Sequence, residues 1–237
     1  MARKAAEKTA EAPKGDPRAL VVDALMALAA RQPWDMITLS SIAEEAGISL
    51  ADLRDLTPSK GAILGSFVRR IDRIVLEGTG TDMQDEPARD RVLDIMMRRF
   101  DALLPYRDAL RSISRGFERD PLGLLALNQQ GLNSWRYMLE SAGIEVDGAM
   151  GAMKIQGAIL VFAGAFRIFL EEDDPALTRT MAALDRELKR GEWVLARAEG
   201  LDRLAAPLRG FFRAACDARK RRGHHHRHQD EPKPDAA

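Results

Sequence analysis

The stretch that decides the fold reads Thr38-Leu39-Ser40-Ser41-Ile42-Ala43-Glu44-Glu45-Ala46-Gly47-Ile48-Ser49-Leu50-Ala51-Asp52-Leu53-Arg54-Asp55-Leu56-Thr57. Thr38 stands at a helix N-cap position, and Leu39, Ile42, Ala43 and Ala46 follow at the spacing of one inward face. Gly47 comes where a chain leaving that helix needs a left-handed residue. Ile48 plugs the corner. Ser49 then caps a second short helix, with Asp52 three residues on at the spacing of a capping box. Leu53 and Leu56 turn back toward the core. Helix, glycine turn and helix at this spacing is a helix-turn-helix, whose second helix is short enough to enter a DNA major groove while the first braces it.

Outward from this motif the chain reads as helix throughout, with no alternating strand pattern. Asp16 and Pro17 open a helix over 17–31, with Leu20, Val21, Ala24, Leu25 and Leu28 on one face. The motif helices are expected near 39–46 and 50–56, and a fourth over 58–76. Further apolar-periodic segments lie at about 88–104, 106–118, 121–141, 147–171, 175–198 and 201–218, punctuated by Pro105, Gly143, Pro175 and Gly200. The expected organisation is a polar arm over 1–16 and a helix-turn-helix unit over 17–76. A larger helical bundle over 77–218 and a basic, His-rich tail over 219–237 complete it.

The motif and its surroundings resemble the TetR family of bacterial transcriptional regulators. The resemblance spans about Arg18 to Asp72. It is carried by Ile42-Ala43-Glu44-Glu45-Ala46-Gly47-Ile48-Ser49, by Leu53, and by Pro58-Ser59-Lys60 followed by Ala62-Ile63-Leu64. It implies an all-α fold: an N-terminal three-helix DNA-binding unit, then a C-terminal bundle that dimerises and binds a small ligand whose binding releases the operator. On that basis the residues expected at double-stranded DNA are Thr38, Ser40, Ser41, Ser49, Leu50, Ala51, Asp52, Arg54, Asp55 and Lys60. Thr38, Ser40, Ser41 and Lys60 are expected at phosphate. Arg54 stands where the family often has a phosphate-contacting Tyr, and its guanidinium can hold phosphate or read guanine. Asp52 replaces a Thr that often meets DNA and doubles as a cap. Asp55 replaces a His and Thr57 a packing aromatic. From Pro17 to Leu64 four basic residues face six acidic ones. That balance works against phosphate binding, where cations dominate affinity.

In the C-terminal half, Met150 to Leu170 is apolar around most of its circumference, which predicts a helix buried on nearly all sides. It doubles as a cavity wall or dimer seam. The helix after it, from Ala176, is one-faced. By the resemblance, these two late helices pair with their copies in a homodimer. An apolar ligand pocket would be lined by Met96, Met97, Phe100, Leu103, Trp135, Met138 and Phe162. Arg98, Arg99, Arg111 and Arg115 are available to an acidic group, and the pattern singles out no ligand-binding residue.

Composition excludes several classes. The 237 residues carry 36 Lys+Arg against 36 Asp+Glu, so bulk charge does not draw the chain to polyanions. The single cysteine, Cys216, rules out an internal disulfide scaffold and fits a reducing, cytoplasmic setting. The longest candidate membrane run, the twelve uncharged residues between Lys154 and Arg167, falls short of the roughly 20 that span a bilayer. All four histidines lie in the tail, and no phosphate loop or nucleophile elbow occurs. No enzyme, metal site or cofactor is therefore expected. The reading is a ligand-released repressor. Its alternative is a lipid-binding accessory protein, similar to the factors of ubiquinone biosynthesis, that keeps the fold without reading DNA. The features behind that alternative are the apolar helix after Gly143, the acidic run Glu171-Glu172-Asp173-Asp174 and the acidic second motif helix.

Overall fold

Asp16 caps the first helix by accepting the Arg18 amide at 3.1 Å, and Pro17 supplies a preset first turn. In this computed structural model the described residues are 16–80 and 85–191. The expectations for the arm, for 192–218 and for the His-rich tail lie outside them. The helices are α1 (Pro17–Arg31), α2 (Leu39–Glu45), α3 (Leu50–Leu56), α4 (Lys60–Gly78), α5 (Ala88–Leu103), α6 (Arg107–Phe117), α7 (Pro121–Ser141) and α8 (Gly148–Glu171). Helical backbone also covers 178–191, called α9. Short 3-10 turns at Trp34–Met36 and Leu104–Tyr106 complete the list, and no strand occurs among the described residues. The expected all-α class is what the chain adopts.

Through Leu188 the chain forms one compact unit. Its N-terminal part packs α1 against α2, α3 and α4 around Leu25, Ile42, Leu53, Ile63 and Phe67, all essentially inaccessible. α4 continues into the bundle and lies against α5 and α7. α1 also makes an extensive contact with α6. There Gly116 is required by space, because a Cβ would sit 2.4 Å from Cδ1 of Trp34. The Ser112 hydroxyl donates to the Gln32 carbonyl at 2.9 Å across the same contact.

The bundle core is a run of packed rings, some stacked and some tilted. Trp135 and Phe162 lie 5.2 Å apart, Phe162 and Phe100 4.5 Å, and Phe100 and Phe169 5.0 Å, with Phe166 alongside. Such pairs add about 0.5–1.5 kcal/mol each beyond area burial.

Here one expectation fails. α8 does bury Gly151, Ile155, Ala158, Ala165, Phe169 and Leu170 on one side. On the other, Ala149, Met153, Leu160, Ala163 and Gly164 are exposed, Leu160 at 65%. Only 17% of its most apolar 18-residue window is buried. The described residues supply neighbours to one side of α8 only. Its length and mean hydropathy of 1.6 would suffice to cross a membrane, beyond what the charge-bounded run suggested. Its inner side nevertheless packs as a protein core helix, against α6 and α7.

The turn into α9 is held by a buried carboxylate. Glu172 accepts from the Arg179 amide at 2.6 Å, the Thr180 amide at 2.9 Å and the Thr180 hydroxyl at 2.5 Å. Burial opposes its ionisation, but these hydrogen bonds prevail and hold its carboxyl below the ordinary glutamate range. The free amides at a helix start give the physical reason.

Candidate nucleic-acid interface

Both motif helices are fixed at their starts by reciprocal capping boxes. At α2, the Thr38 Oγ1 accepts from the Ser41 amide at 3.1 Å while the Ser41 Oγ accepts from the Thr38 amide at 3.0 Å. At α3, the Ser49 Oγ accepts from the Asp52 amide at 3.1 Å and donates to Asp52 Oδ2 at 2.6 Å. The same carboxylate oxygen accepts the Ser49 amide at 3.2 Å. Gly47 takes φ +68° at the corner, the left-handed value the turn requires. The Arg31–Glu45 ion pair, 2.8 Å, fastens the end of α1 to the end of α2.

Thus positioned, α3 turns Leu53 inward, with Leu56 partly buried beside the core. Leu50, Ala51, Arg54 and Asp55 are all exposed, and their i and i+4 spacing sets them on one outer face. Leu50 is 52% exposed. Arg54 has no hydrogen bond or ion pair among the described residues, so its fork is open to a ligand.

The remaining expected contacts divide. Ser40 is exposed at the start of α2, with no side-chain partner. Thr38, Ser41, Ser49 and Asp52 are first of all caps. The hydroxyl of Ser41 both accepts the Thr38 amide and donates to the Thr38 carbonyl at 2.9 Å, which leaves it little capacity for phosphate. Leu39, expected on the inward face of α2, is 38% exposed because it occupies the first helical position.

Lys60 departs from the phosphate role expected of it. Its ammonium donates to the carbonyls of Trp34 at 2.8 Å and Ile37 at 3.0 Å and sits 4.2 Å from the Trp34 ring centroid. Burial pushes its pKa down, and the charge of Asp35 acts the other way. Lys60 is therefore a tie between α4 and the α1–α2 connection. The reason is geometric: the connection turns the carbonyls of Trp34 and Ile37 to where a lysine at the α4 start can reach them. Trp34, which the motif reading passed over, is the hub. It holds Lys60 on one side and meets Phe117 (5.6 Å) and Gly116 of α6 on the other. A tryptophan just after a proline between two helices was the available signal.

In the bundle, the residues expected to line an apolar pocket are packed core: Met96, Phe100 and Met138 are inaccessible, and Trp135 and Leu103 nearly so. Two clefts among the described residues lie elsewhere. One cleft of about 280 Å³ is lined by Thr79, Arg91, Asp94 and Glu140. The other, about 730 Å³, lies between the end of α1 and α6. Of the arginines considered for an acidic group, Arg98 pairs with Asp94 at 2.6 Å and Arg111 with Asp108 at 2.8 Å. Arg99 is buried, pairs with Asp72 of α4 at 2.6 Å and lies 5.5 Å from the Trp135 ring centroid and 5.6 Å from that of Phe162. Ser134 of α7 donates to the same Asp72 oxygen at 2.7 Å, so three helices meet there. Arg115 is exposed. No group of three or more His, Cys, Asp or Glu is placed to hold a metal among the described residues.

No protein-family model matches the sequence, and no curated protein does. Solved structures do match. A TetR transcriptional regulator from Nitrosomonas europaea superposes with a TM-score of 0.61 at 19% identity, covering 76% of this chain and 99% of that one. A TetR transcriptional regulator from Rhodococcus superposes with a TM-score of 0.57 at 19% identity, covering 73% of this chain and 94% of that one. At this level of identity the likeness concerns architecture, and it meets the expectation raised by the motif: this chain has the fold of TetR-family transcriptional regulators.

Proposed function

We propose that the chain is a cytoplasmic, homodimeric DNA-binding transcriptional regulator without enzymatic activity. It acts as a repressor released by a small apolar ligand in the C-terminal bundle. The observation that carries the reading is α3: a short helix fixed by a capping box, anchored by Leu53, with Leu50, Ala51, Arg54 and Asp55 facing outward. A dimer that presents this helix twice would reach successive major grooves about 34–36 Å apart. The exposed apolar side of α8 is the natural seam, with Met181 of α9 exposed beside it in the sequence order. Apolar faces of this kind mark association sites.

The partly buried Met97 and Phe162 are the points where a ligand could enter the ring cluster. Motion there reaches α4 through Asp72 and Arg99, and reaches the α1–α2 connection through α6, Trp34 and Lys60. Release requires that ligand favour one of two arrangements. The lipid-holding alternative is not favoured, since packed rings fill the core where a lipid chain would lie and the two clefts named above lie outside it.

The interface has few free cations. Of Arg18, Arg31, Arg54 and Lys60, the second pairs with Glu45 and the fourth holds carbonyls. DNA binding is therefore expected at low salt. A gel shift against the DNA upstream of the protein's own gene, with and without Arg54→Ala, tests this. A saturable, sequence-selective shift weakened by the substitution supports the reading; no selective shift at low salt rejects it.

A further inference from the structure

The second half of α7 is core and its first half is not. Trp135, Met138 and Leu139 are buried. Leu122, Leu124, Leu125, Ala126 and Leu127 are all exposed, Leu122 at 78% and Leu125 at 67%. Of the twelve large apolar side chains exposed among the described residues, four are these leucines, drawn from six consecutive positions. The segment is fixed at its start. Asp120 caps it by accepting the Gly123 amide at 2.9 Å, and a Cβ on Gly123 would stand 2.6 Å from Phe117, so the corner into α7 is closely packed. At about 100° per residue the four leucines spread around the helix. A helix apolar all round is a buried one, and these two turns lack that cover among the described residues.

The surroundings select the occupant. Between Asp120 and Arg136 the chain carries no charged side chain, whereas helices that lie on membranes line their polar face with Lys and Arg. The patch has the anatomy of a protein interface instead. Leucines form its centre, with Asn128, Gln129 and Gln130 at one end and Arg119 and Asp120 at the other. It also adjoins α8. Asn128 accepts from Gln156 at 3.4 Å, and Ile159 lies 3.4 Å from where a Cβ on Gly131 would stand. Leu124 and Leu127 stand one turn before those two α7 residues, on the same side of the helix. The outer side of α8 is small by itself: Met153 and Leu160 are its large exposed apolar side chains, and α9 adds Met181. A stable dimer buries about 800 Å² and roughly 20–30 residues on each partner.

We infer that a second copy of the chain, as it seats on the outer side of α8, also packs on Leu122, Leu124, Leu125 and Leu127, so that the first two turns of α7 belong to the homodimer contact. This rests on the homodimer reading above and enlarges its surface. The enlarged contact has a route to the DNA-binding unit. Gln130, on the next turn of α7, lies 3.5 Å from where a Cβ on Gly65 of α4 would stand. A copy seated on α7 therefore bears on α4, the helix that follows α3, and the spacing of the two α3 helices depends on α7 as well as on α8.

A thiol at the patch tests this. In the full-length protein, Leu125→Cys is combined with Cys216→Ser, so that a maleimide reports on position 125 alone. Its labelling rate is followed across protein concentration, and sedimentation equilibrium of the same variant gives the monomer fraction. Adding Leu160→Asp in the α8 seam supplies the monomer. Labelling should be fast in the monomer and should slow in step with the monomer fraction as the dimer fills. A rate that stays slow in the monomer means that the same chain covers the patch. A rate that stays fast in the dimer puts α7 outside the contact. Either result overturns the inference and leaves the homodimer standing. A chain that is monomeric at every concentration overturns both. Independently, Leu125→Asp should raise the dimer dissociation constant at least about tenfold, because the contact would bury an unpaired charge. Met36→Asp, equally exposed on the α1–α2 connection, should leave it unchanged. A constant unmoved by Leu125→Asp, in a protein shown to be folded by circular dichroism, overturns the inference.

Discussion

The outer faces of α3 and α8 are both exposed, yet they differ in kind. That of α3 is short and mixed: a leucine, an alanine, an arginine and an aspartate on a helix closed by its own capping box. That of α8 is long and apolar, with Met153, Leu160, Ala163 and Gly164 left uncovered. The first is complete as it stands and offers polar groups to a polar partner. The second is a hydrophobic surface whose outer side has no neighbour among the described residues. On the proposed reading, the same exposure marks two different partners, nucleic acid for one and a second copy of the chain for the other.

The largest effect should come from the inner side of that comparison. Phe100 joins Phe162 to Phe169 and is fully buried. Phe100→Ala should cost about 3–5 kcal/mol in urea unfolding. A loss below about 1 kcal/mol would mean that the ring cluster does not support α8. Next come two exposed leucines of opposite fate. Leu160→Asp would bury an unpaired charge in the seam and should raise the dimer dissociation constant at least about 100-fold by sedimentation equilibrium. Leu50→Asp, at a similarly exposed position on α3, should leave it unchanged. Equal behaviour of the two would erase the distinction between the faces.

A smaller effect is expected where α8 hands over to α9. Glu172→Gln leaves the amides at the start of α9 with a weaker acceptor and should cost about 1–3 kcal/mol at neutral pH. The folded carboxyl lies below its ordinary value of 4.5, so its stabilisation is complete above that pH. It should fade as the pH falls through the lower folded value, so the two proteins should converge in acid. A difference that stays constant down to pH 2 would contradict the role of the carboxylate. The smallest change is Thr38→Ala, which removes one half of the α2 capping box and should cost about 1 kcal/mol by thermal unfolding.

Sequence reading went furthest where structure is local. The capping of α2 and α3, the glycine corner, and the inward turn of Ile42, Ala43 and Leu53 follow from neighbours three or four residues apart, and these positions were legible. Lys60 was not, because its partners, the carbonyls of Trp34 and Ile37, lie more than twenty residues away. Trp34 and Gly116 form one contact from two distant places, each ordinary in its own stretch. The apolar circumference of α8 was read correctly as apolar, but whether such a face is covered by its own chain or by another depends on what packs beside it.

The central claim is that the outer face of α3 reads base pairs. Selection from a pool of randomised DNA duplexes at low salt, with the full-length protein as bait, tests it most directly. The account predicts enrichment of an inverted repeat with half-site centres about one helical turn apart, and loss of that enrichment with Arg54→Ala in a folded protein. Failure of the folded protein to enrich any sequence, or enrichment unaffected by Arg54→Ala, would contradict it.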